Sequence, residues 1–155
     1  MAVEVFHDTA DLPTLDLMGV RILESVYRGI VNRRPLRRRA VPYEAFDLFA
    51  GNNRRLRVLV RDEDTNIVDV TGATALFTVK ETKNSASSTF QRSTDVSGEG
   101  EIGAADKGEL FFYVVPANTS GLSIRQYVFD VKLTLAAGTV YTVVEGVLNL
   151  QKTVG

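Results

Sequence analysis

The feature that most constrains this chain lies near its end. In residues 126–135, Tyr127, Phe129, Val131, Leu133 and Leu135 alternate with Val128, Asp130, Lys132 and Thr134. A period of two puts the first set on one face of a strand and the second set on the other. Ala136, Ala137, Gly138 and Thr139 then supply a turn, and a second extended run goes from Val140 to Leu150. The pattern predicts a hairpin with one buried face. It points to a β-sandwich, a scaffold that serves binding or building.

The same reading extends back to about Arg55. Residues 56–61 alternate, with Leu56, Val58 and Val60 on one face. Asp62, Asp64, Thr65 and Asn66 form a turn, because their side chains hydrogen-bond nearby backbone. Residues 67–70 predict a short strand, and residues 74–80 a longer one carrying Ala75, Phe77 and Val79. A polar loop at 83–89 precedes a weak strand at 90–95. A glycine-broken stretch around Gly98 and Gly100 lets a strand resume at 101–104. Residues 109–115 (Glu109, Leu110, Phe111, Phe112, Tyr113, Val114, Val115) read as a central strand, being apolar on both faces. Pro116 ends it, and residues 117–122 form a loop or single helical turn. Seven or eight short strands at this spacing predict an Ig-like antiparallel β-sandwich over residues 54–155.

Residues 1–53 have a different character. Thr14 is a candidate cap for a helix over residues 14–32. Leu15, Met18, Ile22, Val26 and Ile30 recur at helical spacing, and Glu24 and Arg28 form a favourable i,i+4 pair. The amphipathic stripe needs an apolar cover, supplied by the sandwich or by another chain. A basic run follows, with Arg33, Arg34, Arg37, Arg38 and Arg39 in seven residues. It suits an acidic protein surface. Nucleic acid is the weaker partner, because no aromatic interleaves the arginines and the formal net charge is -1. Residues 41–49 read as an extended lead-in whose aromatics pack on the sandwich.

Few residues offer chemistry. There are no cysteines, which removes thiolate nucleophiles and Cys-based metal sites. His7, the single histidine, reads as a surface residue without a nucleophile to serve. Asp62, Asp64 and Asn66 have the i, i+2, i+4 spacing of a calcium loop. Ile67 and Ala73 stand where such a loop needs Gly and Glu, so the turn reading prevails. Glu99, Glu101, Asp106 and Glu109 cluster in sequence, as a glycosidase carboxylate pair would, but surface turns carry acids too. Tyr113, Tyr127 and Tyr141 could stack on a sugar. The expectation is no catalytic residue, no metal and no cofactor. No apolar run is long enough to cross a bilayer as a helix. Residues 1–8 lack a signal-peptide pattern, so no membrane association and no Sec export are expected.

Three stretches together carry a family resemblance. They are residues 68–80 (VDVTGATALFTVK), residues 108–115 (GELFFYVV), and residues 127–133 (YVFDVKL) followed by Gly138 and by Val144, Glu145 and Gly146. Their order resembles the N-terminal β-sandwich domain of tailed-phage baseplate upper proteins and related virion modules. The resemblance implies a non-enzymatic structural protein of a tailed-phage virion, assembled in the host cytoplasm. It implies a tail, baseplate or fibre-attachment component, with capsid decoration or host-surface carbohydrate or protein binding as alternatives. Other virion proteins would be its partners, within a symmetric homo-oligomeric assembly. On that reading residues 1–53 dock onto neighbouring subunits, through Leu15, Met18, Ile22, Val26, Ile30 and the five arginines.

Overall fold

The structure, a computed structural model, describes the strand path of residues 2–8, and residues 41–62 and 64–153 in full. The helix expected over residues 14–32 and the arginine run at 33–39 lie outside the described residues.

Among the described residues, nine strands form two sheets. They are β1 (Ala2–Asp8), β2 (Tyr43–Phe49), β3 (Arg54–Arg61), β4 (Thr74–Lys80), β5 (Phe90–Ser93), β6 (Gly100–Ile102), β7 (Glu109–Val114), β8 (Gln126–Thr134) and β9 (Val140–Gln151). One sheet has the order β1-β3-β7-β6 and the other β2-β9-β8-β4-β5. Between β7 and β8 sits a single helical turn, α1 (Pro116–Thr119). Its buried Thr119 hydroxyl accepts the Gly51 N–H at 2.9 Å and so ties α1 to the β2–β3 turn.

The sheets face each other over one core. Leu56, Val58, Val60, Leu110, Phe112 and Val114 come from the first sheet. Phe46, Leu48, Phe77, Val79, Tyr127, Phe129 and Val131 are among those from the second. Phe77 bridges the layers, with its ring centroid 5.8 Å from that of Phe112. At one open edge Arg92 of β5 crosses between the sheets, donating from Nε to the Tyr113 carbonyl at 2.7 Å.

The expected hairpin forms as β8 and β9, with Tyr127, Phe129, Val131 and Leu133 buried. Its alternation breaks once. The register shifts between Val131 and Lys132, and Val143 and Val144 are both buried. An extra residue in a strand does this, because it restarts the period of two.

The five-stranded sheet is mixed rather than wholly antiparallel, since β2 runs parallel to β9, whereas the four-stranded sheet is antiparallel throughout. Both sheets also begin upstream of Arg54: β1 and β2 are both strands, and β1 pairs with β3. Residues 41–49 pack less fully than expected. Phe46 is buried, whereas Tyr43 is 58% and Phe49 40% exposed. Strand alternation accounts for this, sending Phe46 and Leu48 inward and Tyr43, Ala45, Asp47 and Phe49 outward.

Two other expectations change. Residues 67–70 form no strand, only an isolated bridge between Arg61 and Ile67. Their backbone groups bond elsewhere, Val68 N–H to Val60 O and Val70 N–H to Ala105 O. Asp69 accepts the Thr71 N–H and hydroxyl, a local turn that competes with a ladder. Strand β7 does lie between two neighbours, but it has one buried face. Phe111 points outward, where the Arg55 guanidinium lies 4.7 Å from its ring centroid.

Candidate interaction surface

The outer face of the five-stranded sheet carries a polar row that crosses every strand. Register places Gln91 opposite Thr78, Thr78 opposite Asp130, Asp130 opposite Glu145, and Glu145 opposite Tyr43. A second, more apolar row runs Lys80, Val128, Val147, Ala45. Between the rows lies a groove of about 270 Å³, walled by Tyr43, Lys80, Lys83, Asp130, Glu145 and Val147.

The electrostatics of the groove are internally opposed. Asp130 and Glu145 are like charges directly across a strand pair, an arrangement that destabilises. Lys83 reaches Glu145 at 3.7 Å, but it is largely solvated and the attraction is weak. Lys80 donates to the Ser85 carbonyl at 3.1 Å. Asp130 Oδ1 is buried without a hydrogen-bond partner. Burial pushes the Asp130 carboxyl above the usual aspartate range, and Glu145 adds to this while Lys132 and Lys80 oppose it. Burial likewise raises Glu44 on β2, with the Ala45 N–H opposing.

A carboxyl raised in the folded state stabilises the fold when protonated. That contribution is present below the unfolded pKa and is lost as pH rises through the folded one. Asp130→Asn is therefore expected to raise stability at pH 7 by up to about 1 kcal/mol. The gain should vanish below roughly pH 3.9, where Asp130 is protonated in both states. Urea unfolding of both proteins at the two pH values measures this. A variant less stable at pH 7 would mean that the charge has a partner in the groove.

Three of the four acids that suggested a carboxylate pair are committed to structural contacts, and the fourth, Asp106, is exposed. Glu109 holds Arg57 at 2.8 Å and accepts the Ala104 N–H. Glu101 accepts the Tyr113 hydroxyl at 2.6 Å, a bond that pushes that phenol up. Glu99 accepts the Ser93 N–H and pairs with Arg92. Asp106 lies in the 3-10 turn before β7. Asp62 accepts the N–H groups of both Asp64 and Asn66, each at 2.9 Å, as an Asx turn does. Among the described residues, no three His, Asp or Glu side chains are grouped to hold a metal ion.

Tyr127, one of three tyrosines considered for stacking, is buried in the core and is not available for it. Its hydroxyl donates to the Ser123 carbonyl at 2.8 Å. Tyr141 is half-buried against the core. The exposed ring in the groove is Tyr43, which sequence reasoning missed. The alternation of Phe46 and Leu48 was the available signal, and it was masked by aromatics at Tyr43 and Phe49 on the opposite face. His7 lies within β1, in register with Leu56. Leu15, Met18, Ile22, Val26, Ile30, Arg33, Arg34, Arg37, Arg38 and Arg39 all lie outside the described residues.

No protein-family model matches the chain, and no curated protein does. Among solved structures, one similar chain comes from "Structural basis of T cell specificity and activation by the bacterial superantigen toxic shock syndrome toxin-1". The match has 12% identity and a TM-score of 0.41, and covers 69% of this chain and 92% of that one. Likeness at this level does not establish a common fold.

Proposed function

We propose that this chain is a non-enzymatic structural protein of a tailed-phage virion that docks onto neighbouring subunits. A tail, baseplate or fibre-attachment position fits the motif resemblance best, and capsid decoration is the alternative location. The observation that carries the docking reading is where the helix pattern and arginine run fall in the chain. They lie between β1, which ends at Asp8, and β2, which begins at Tyr43. The candidate docking residues thus belong to a long connection flanked by two sandwich strands. Recognition segments are commonly held this way, on loops carried by a rigid scaffold.

We read the sandwich as immunoglobulin-like. The order β1-β3-β7-β6 corresponds to A-B-E-D, and β9-β8-β4-β5 to G-F-C-C′. The hydroxyl of Tyr127, near the start of β8, bonds back to Ser123, as a tyrosine corner does. Such a body supplies rigidity, and function must come from what is mounted on it. The commitment of Glu99, Glu101 and Glu109 to structural contacts supports a non-catalytic role.

Replacing residues 14–39 with a Gly/Ser linker of equal length tests the docking reading. The sandwich should melt within about 2 °C of the parent. Incorporation of the tagged chain into particles should fall at least about tenfold, the effect of losing 1.4 kcal/mol or more of docking energy. Normal incorporation would contradict it. A second reading, host-surface recognition, rests on the exposed Tyr43 ring in the groove. It requires glycan or receptor binding that Tyr43→Ala removes.

A further inference from the structure

Strand β1 is the outermost strand of its sheet, and the chain that follows it is long. Its seven residues pair antiparallel with β3, from Ala2 opposite Arg61 to Asp8 opposite Arg55. Register sets Val3 opposite Val60, Val5 opposite Val58 and His7 opposite Leu56. Those three β3 residues are core residues, each no more than 2% exposed. If β1 left, β3 would become the sheet edge and present a free row of N–H and C=O groups. Such an edge templates the addition of another strand. The β3 edge therefore has to be filled, and the strand whose register fits it is this chain's own β1.

Nothing in the covalent geometry requires that β1 to come from the same copy. Fully extended, residues 9–42 could span up to roughly 110 Å. That is about three times the ~35 Å width of a domain of this size. For a connection that behaved as a flexible linker, the effective concentration of β1 at its own β3 would be on the order of millimolar. Neighbouring copies packed in an assembly compete at similar or higher local concentration. Exchange costs no native contact, because the same strand fills the same edge.

We infer that β1 is an exchangeable strand: in dilute solution it fills its own β3 edge, and in the assembled state it fills that of a neighbouring copy. The partner of this edge is a second copy of the same chain. The strand pairing is read from the β1–β3 register, while the assembled state rests on the proposed virion role. Crosslinking reads exchange between free copies in solution, so its failure is distinguishable from failure of that role.

The lack of native cysteines makes a crosslinking test clean. Glu4 and Leu59 are register partners. Directly opposed antiparallel residues have Cα atoms within disulfide range. A tagged full-length Glu4→Cys chain is mixed with an untagged Leu59→Cys chain, refolded together, oxidised and run on a non-reducing gel. The expected result is a heterodimer band that rises at least about tenfold between roughly 10 μM and 1 mM protein, bracketing the tether's effective concentration. A mixture of Glu4→Cys with Thr139→Cys, a residue in the exposed β8–β9 turn, gives the collisional background. The double variant Glu4→Cys/Leu59→Cys should close within one chain at the lower concentration. Heterodimer no greater than background, with the double variant still closing within one chain, would overturn exchange. Failure of the double variant to oxidise at all would overturn the β1–β3 pairing itself.

Discussion

Gly146→Ala is expected to detach β2 from the sandwich. Gly146 lies on β9 opposite Glu44, where the parallel pair approaches closely. A Cβ there would overlap the Glu44 carbonyl oxygen and lie 2.7 Å from its carbon and 2.9 Å from its nitrogen. All three are backbone atoms, so no side chain can rotate aside. The strand must move, and with it Phe46 and Leu48, which are 4% and 1% exposed. Re-exposing two such side chains costs about 3–5 kcal/mol. The melting temperature should fall by roughly 10–20 °C. Amide exchange at Phe46 and Leu48 should lose its protection, while that on β8 persists. A fall of less than about 3 °C would mean that β2 does not approach β9 this closely.

Phe77→Ala should be comparably severe for a different reason. Phe77 is 1% exposed and stands at the centre of an aromatic group. Its ring centroid lies 5.7 Å from Phe129, 5.8 Å from Phe112 and 6.2 Å from Phe90. Phe112 belongs to the opposite sheet, so truncation removes a contact that joins the two layers. A buried Phe→Ala change costs about 3–5 kcal/mol. Against a typical total of about 5–15 kcal/mol, that is a large share. Urea unfolding should show a lower midpoint with an unchanged slope. Phe90→Ala, at a half-buried position on the same cluster, should cost less.

The strands that sequence reasoning found most readily are those whose alternation answers to one core. Residues 126–135 and 56–61 are of this kind, and β8 and β3 bury the expected faces. Where reasoning fell short, a second influence was superimposed. At residues 43–49, aromatics on both faces hid the alternation, and the parallel pairing with β9 is a long-range choice with no local signal. At residues 67–70, β-branched composition suggested a strand, but the Asp69–Thr71 turn and the long-range Val70–Ala105 bond took the backbone groups. At β7, Phe111 looked like core because an aromatic covered by an arginine is indistinguishable in sequence from one covered by leucine. The polar row from Gln91 to Tyr43 could not be read from sequence. It joins five strands that are remote along the chain, and only sheet order brings them into line.

The proposed virion role requires this sandwich to be built into a particle. Quantitative mass spectrometry of purified, intact phage particles from the producing host tests it most directly. The expected result is this chain at a fixed copy number per particle, a multiple of the symmetry of the structure that holds it, retained through density-gradient purification. Its presence only in the soluble lysate, at no constant ratio to virion proteins, would contradict the claim.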